Sequence, residues 1–210
     1  MNKTLKRATS GLAYVIVMWY GASYSVLSYR VLFIILGILS VYEMSKLREG
    51  KHKITAFIYV LVPFILAQFI ITPEAQENWN PNVILFMFIL VFTFDTFAYL
   101  IGLPFGRHKI LPSISPKKSW EGFFGGSVAT IVLAYFTYPY FTFENSRLAL
   151  IMSIALPFTA TIGDFIESYY KRESGVKDSG NIIPGHGGIL DRMDSFMVTI
   201  PVIYIIIKLL

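Results

Sequence analysis

Between Ser168 and Asp194 the chain reads S-Y-Y-K-R-E-S-G-V-K-D-S-G-N-I-I-P-G-H-G-G-I-L-D-R-M-D, gathering Lys171, Arg172, Lys177, Arg192, a histidine and several carboxylates around a glycine-rich turn. Only 15% of the chain is charged, so this concentration marks chemistry. Two spacings carry the argument. Asp164 and Glu167, three apart, share a helical face that Ser168 and Lys171 continue; Asp191 and Asp194, again three apart, share another, with Arg192 between them. Oxygen ligands from Asp164 and Asp191, joined by Asp194 or Asp178, suit a hard cation such as magnesium, typically held by one or two carboxylates together with substrate phosphates. The absence of cysteine removes thiolate nucleophiles and thiolate metal sites, and the histidines do not cluster as zinc ligands would.

The turn Pro184-Gly185-His186-Gly187-Gly188 is suited to present successive backbone N–H groups to a phosphate, with Lys171, Arg172, Lys177 and Arg192 neutralising its oxygens. Taken alone, the glycines read equally as a connection between two helices. A phosphate nucleophile is already ionised near neutral pH, so His186 is read as a phosphate hydrogen-bond partner, against the alternative of a turn histidine. A second cluster lies between Gly106 and Gly126. There Ser115-Pro116-Lys117-Lys118-Ser119 precedes an apolar run, and a helix N-terminus with two lysines forms a headgroup-phosphate site. The competing account is a basic loop that sets topology, with an N-cap serine. Glu121 stays open between a first-turn dipole partner and a functional acid. Glu43, His52, His108 and the loop Lys46 to Lys53 are assigned only solvation and orientation.

The elements that position these groups are membrane spans. At 55% hydrophobic residues and a mean hydropathy of +0.60, the chain exceeds the roughly 45–50% apolar share of soluble domains. Apolar runs of bilayer-crossing length occupy Ser10 to Tyr29, Val31 to Leu47, Ile54 to Thr72, Asn82 to Leu103, Trp120 to Phe141, Leu148 to Tyr170 and Met193 to Leu210. The expected fold is therefore all-α: a polytopic helix bundle of about seven transmembrane helices, with the turn between the first two at Arg30. Pro63, Pro157 and Pro201 fall inside spans, where neighbouring groups can satisfy the freed carbonyls. Lys3, Lys6 and Arg7 precede the first run, but Tyr20-Gly21-Ala22 is a poor cleavage site, so this run is read as a retained span.

With the N-terminus cytoplasmic, 15 of the 18 lysines and arginines fall on one side, leaving Arg30, Arg147 and Lys208 opposite. Glu74, Glu77 and Glu144 face outward, with Trp79, Tyr138 and Tyr140 as interfacial aromatics. The net charge of +5 is thus a topology and lipid-headgroup signal, and nucleic acid is not the expected partner. A carboxylate at mid-span costs about 2.5 to 3.5 kcal/mol, which directs Asp95 and Asp164 toward a cavity or a partner. Residues 1–80 form an N-terminal hairpin region and third span, and residues 81–210 a catalytic transmembrane domain with its site at the cytoplasmic face.

The pattern S-x-x-K-R-x-x-x-x-K-D-S-G-x-x-x-P-G-H-G-G-x-x-D-R-x-D, Ser168 to Asp194, closely resembles the signature of the phosphatidate cytidylyltransferases, or CDP-diacylglycerol synthases. D-T-x-A-Y from Asp95 to Tyr99, the G-R-x-K stretch and I-S-P-K-K-S-x-E-G from Ile114 to Gly122 resemble that family's other shared blocks. Tyr170 departs from it, where an aliphatic residue or phenylalanine is usual. The resemblance implies a nucleotidyltransferase of phospholipid biosynthesis, taking CTP and phosphatidate to CDP-diacylglycerol and pyrophosphate, with magnesium and a second, potassium ion as cofactors. It implies a homodimer in the bacterial inner membrane, with the site facing the cytoplasm. By similarity Asp164 and Asp191, then Asp194 and Asp178, are the metal ligands. Lys171, Arg172, His186 and Arg192 hold nucleotide phosphates, and Lys117 and Lys118 the lipid headgroup. Ser168, Lys177, Gly185, Gly187 and Gly188 complete the substrate-binding set, while Asp164, Lys171, Asp191 and Arg192 form the catalytic one. Competing readings are a transporter whose intramembrane acids line a cation path, and a CDP-alcohol phosphotransferase, whose D-G-x-x-A-R hallmark this chain lacks.

Overall fold

The computed structural model describes residues 3–71, 77, 79–143, 145 and 147–210, of which the side chains at 3, 4 and 6 are not described. Glu74 and Glu144, expected on the outer side, lie outside the described residues, as does Thr72. The chain forms α1 (Lys3–Ser23), α2 (Val26–Leu47), α3 (Ile54–Ile70) and α4 (Asn82–Phe105), then a hairpin of β1 (Lys109–Leu111) and β2 (Ser115–Ser119). There follow α5 (Trp120–Thr137), a 3-10 turn (Tyr138–Tyr140), α6 (Arg147–Glu173) and α7 (Leu190–Leu209). Pro63, Pro157 and Pro201 each lie inside a continuous helix.

One expectation needs correction. The turn between the first two helices is at Tyr24–Ser25, because Ser25 caps α2 in a capping box with Ser28, its hydroxyl accepting the Ser28 N–H at 3.1 Å. Arg30 consequently lies within α2. The fold is helical as expected, and the helices are joined at one point by the short antiparallel pair of β1 and β2. Pro112 and Pro116 keep the segment out of a helix, and Ser119 ends it by capping α5, accepting the Gly122 N–H at 3.2 Å.

α2, α4 and α6 are long and apolar enough to cross a membrane; α3, at 17 residues, is a shorter apolar helix. Leucines, isoleucines and aromatics on α2 and α5 are turned outward, among them Ile34, Ile38, Phe124, Tyr135 and Phe136, as a surface facing hydrocarbon would be. The interior is aromatic: Phe88 stands edge-on to Phe196 with ring centres 5.4 Å apart and lies near Phe33. Polar bonds tie the helices where no water reaches. Tyr29 donates to the Ala67 carbonyl at 2.6 Å, Tyr59 to the Gly163 carbonyl at 2.8 Å, and Thr159 and Thr199 share a bond of 2.9 Å.

The most extensive pairings are α4 with α5 and α6 with α7. The second sets the site, because Gly163 lets the α7 backbone at Asp194 come so close that any Cβ would strike the Asp194 carbonyl. The connection Lys46 to Lys53 packs on the end of α6. Arg48, 5% exposed, pairs with Glu173 at 2.5 Å and donates to the His52 carbonyl at 2.9 Å, while the Lys51 ammonium reaches the Glu173 carbonyl. These basic residues therefore do more than orient the chain.

Candidate active site

The site lies where the C-terminal end of α6, the first turn of α7 and the β1–β2 hairpin converge. Asp164 and Glu167 project from one face of α6 toward Asp194 on α7, and one oxygen of each lies within 4.8 Å of the others. Asp95 on α4 borders the group, with the Ser195 hydroxyl donating to it at 3.4 Å. Lys118, from β2, pairs with Asp164, and Lys171 pairs with the fully buried Glu167 one turn before it. Ser168 donates to Asp164 at 3.0 Å, holding that carboxylate against its own helix. Among the described residues, neither oxygen of Glu167 receives a directed hydrogen bond, and its partner is the Lys171 ammonium, as an ion pair.

Asp191 stands beside this trio. Its oxygens accept the Lys171 ammonium at 2.8 Å, the Gly188 N–H at 2.7 Å, and both the N–H and hydroxyl of Ser179, at 2.9 and 3.0 Å on Oδ2. It gathers the two ends of the glycine-rich loop and ties them to α6. Asp178 is exposed on the loop, away from the Asp164–Glu167–Asp194 group.

The loop closes tightly, with Ile183 and Gly187 forming an isolated bridge and the His186 N–H donating to the Ile183 carbonyl at 2.9 Å. Gly185 and Gly187 have φ of 80° and 87°. The amides of His186 and Gly188 are thus committed inside the turn, so phosphate-facing charge on this side comes from side chains. The His186 Nδ1 lies 3.0 Å from the Ser10 hydroxyl, which itself donates to the Pro184 carbonyl at 2.8 Å, so α1 covers the loop. Partial burial, together with the Arg192 and Arg7 cations, holds the His186 imidazole below its ordinary pKa. Arg192 is exposed and donates to the His186 carbonyl at 2.7 Å. Arg172 instead bonds the Ile114 and Val176 carbonyls, and Lys177 is exposed on the loop.

Two cavities meet here. One, of about 360 Å³, is bounded by Lys117, Lys118 and Ser115 of the hairpin together with Tyr99 and Phe123; the other, of about 250 Å³, runs beneath α1 past Tyr14 and His186. Asp95, Asp191, Arg192 and Asp194 line both. An anionic headgroup and an anionic second substrate could thus approach the same acids from two sides, each meeting basic residues.

Sequence reasoning missed two residues. Glu43 is 2% exposed and accepts hydrogen bonds from Ser179, Ile189 and Leu190, which corrects its assignment to solvation. Nothing in α2 marks it beyond being an acid in an apolar helix, and that signal was available. His108 is held too: its Nδ1 lies 2.6 Å from Glu121, which also accepts the His108 N–H, pinning β1 to the start of α5. Gly187→Ala tests the tightness of the loop. A Cβ there would sit 2.5 Å from Asp191 Oδ2 on left-handed backbone, and a loss of about 1 to 3 kcal/mol is expected in thermal unfolding of detergent-purified protein.

Curated relatives with this chemistry in their names align with the chain. A phosphatidate cytidylyltransferase of Staphylococcus epidermidis is 41% identical over 153 residues, 72% of this chain and 58% of that protein. The Haemophilus influenzae protein of the same name is 44% identical over 127 residues, 57% of this chain and 43% of the relative; that of Staphylococcus aureus is 39% identical over 153 residues. The chain thus spans about half the length of the curated relatives it matches. Residues 4–210, which include every group just described, match the Cytidylyltransferase family, and the chain belongs to that family.

Proposed function

We propose that the protein transfers the cytidylyl group of CTP to phosphatidate, giving CDP-diacylglycerol and pyrophosphate. The observation that carries this reading is the trio Asp164, Glu167 and Asp194 set between Lys118 and Lys171 where two cavities with basic residues in their walls meet. A phosphate oxygen of the lipid attacks the α-phosphorus of CTP, the bond from that phosphorus to the β-phosphate bridging oxygen breaks, and pyrophosphate leaves with the electron pair. No covalent enzyme intermediate is required.

A divalent cation fits the residues present. Among the described residues, Asp164, Glu167, Asp191 and Asp194 pair within the group with two lysines, Lys118 and Lys171, and Glu167 has no directed donor, so surplus negative charge is directed inward. Asp164, Glu167 and Asp194 would hold magnesium, with a second cation such as potassium beside the same acids. When bound, the metal supplies charge stabilisation at the transferring phosphoryl group and the departing pyrophosphate. Asp191 contributes by fixing Lys171 and the loop. Lys117 and Lys118 hold the lipid phosphate from the hairpin, and Arg192, with His186 beside it, holds nucleotide phosphates from the loop. Ser168 keeps Asp164 aimed at the cavity. Lys177, Arg172 and the glycines 185, 187 and 188 shape the cytoplasmic mouth.

In this reading the seven helices all cross the inner membrane of a bacterium, with the N-terminus and the site cytoplasmic. Residues 81–210 carry the reacting groups and residues 1–80 frame them, in a protein that works as a homodimer. The charge distribution supports this orientation, since the basic residues of the connections gather at the site end of the bundle.

The test is incubation of purified protein with phosphatidate, magnesium and CTP labelled at the α-phosphate, following label into the organic phase. EDTA-sensitive transfer is expected; folded protein that transfers nothing to phosphatidate overturns the reading. Lys118→Ala is expected to raise the KM for phosphatidate about tenfold, the worth of one charge-assisted bond, with the KM for CTP little changed. A selective rise in the CTP value would reverse the assignment of the two basic clusters.

A further inference from the structure

We propose that Glu43 is a positioning residue for the transfer site, setting the glycine-rich loop and the start of α7 from a helix that supplies no reacting group. The inference rests on the reaction assigned above. The N-terminus of α7 is where it begins. Ile189, at the cap position, has no side chain able to bond the unpaired N–H groups of the first turn. The cap comes instead from 146 residues earlier in the chain: Glu43 Oε1 accepts the Ile189 N–H at 3.1 Å and Oε2 the Leu190 N–H at 2.8 Å. A carboxylate at that end also meets the favourable pole of the helix dipole.

The same carboxylate reaches the other side of the loop, where the Ser179 hydroxyl lies 2.9 Å from Oε2 and 3.0 Å from Asp191 Oδ2. Ser179 is therefore a bridge between two acids. Through it, and through the Gly188 N–H on Asp191, the placement of Glu43 determines where Asp191 meets Lys171 and where Arg192 and Asp194 face the cavities. At 2% exposure a charged group stays only if its acceptors are filled, and here three donors fill them. Space around it is tight, since a Cβ at Gly180 would sit 2.5 Å from Oε1. Glu43 lines neither cavity and stands apart from the acid trio, so it acts through other residues.

The test compares Glu43→Gln, Glu43→Asp and Glu43→Ala in detergent, by steady-state transfer from labelled CTP and by hydrogen exchange of the segment 178–192. For Glu43→Ala a fall in kcat of about a hundredfold is expected, the usual cost of misplacing reacting groups by about 1 Å, with the phosphatidate KM unchanged. Exchange in 178–192 should accelerate while α4 and α5 keep wild-type protection. Glu43→Gln, which keeps the shape and one acceptor, should recover most of kcat. Wild-type kcat in Glu43→Ala, or losses in all variants that match only their unfolded fraction, overturns the proposal. If Glu43→Ala does not fold, Glu43→Asp decides: reduced kcat at a normal melting temperature supports it, and wild-type kcat with unchanged exchange overturns it. If the wild-type protein itself transfers nothing from CTP, the reaction is what has failed. Exchange of 178–192 then decides the role of Glu43, with wild-type protection in Glu43→Ala overturning it.

Discussion

Replacing Asp194 with asparagine is expected to lower turnover by about a thousandfold while the protein stays folded and inserted. Asp194 is one of three acids with oxygens within 4.8 Å of each other, and its own hydrogen-bond donor is the adjacent Ser195 N–H at 2.7 Å. Removing its charge takes away one of the proposed cation ligands and strands neither neighbouring lysine, since Lys118 and Lys171 pair with Asp164, Glu167 and Asp191. The loss therefore falls on transition-state charge stabilisation, where a single preorganised group is worth about 10² to 10³ in rate. Steady-state assays across a magnesium series check this: the half-saturating magnesium concentration should rise in Asp194→Asn. Asp191→Asn should also lose turnover and remain inserted, but by loosening the loop, so its half-saturating magnesium should move much less. The opposite pattern would make Asp191 the ligand and Asp194 the organiser.

Lys171→Met is expected to destabilise the protein by about 3 to 5 kcal/mol. The ammonium is nearly buried between Glu167, wholly buried, and Asp191. Methionine keeps the volume of the stem and deletes the charge, stranding Glu167 and taking the cation from Asp191, which keeps the Gly188 and Ser179 donors, and breaking a buried pair in this way is costly. Thermal unfolding in detergent reads the effect, and Glu167→Gln added to Lys171→Met should restore a measurable part of it. An unchanged melting temperature in the single variant would mean that the two acids are compensated from elsewhere.

Much of this arrangement was legible in the residues. The three-residue spacing of Asp164 and Glu167 and the apolar runs around them placed two of the three clustered acids on one helix face, and the spacing of Asp191 and Asp194 placed the third on the next helix. Spacing could not say which member of the second pair turns to the cluster. That depends on the close approach at Gly163, which presents Asp194 to α6 and leaves Asp191 to the loop, and the approach exists only once α6 and α7 pack. Glu43 escaped for a similar reason. Its neighbours along the chain are apolar or solvated, and its donors lie more than 130 residues away. The displaced turn at Ser25 was readable, since S-x-x-S before an apolar run is a cap pattern, but Arg30 is the stronger signal to a hydropathy argument.

The pairing of Lys171 with Glu167 one turn earlier bears on how the chain reaches its place during synthesis. Both partners belong to α6, so that helix is delivered to the bilayer with these two charges already offset, without waiting for another segment. Asp164 on the same helix finds Lys118, translated 46 residues before it. Asp191 and Asp194, which bring the surplus of negative charge, are made after α1 to α6, when the walls that shelter them exist. The order of translation thus brings the surplus carboxylates in last, when the polar chamber that takes them is already built.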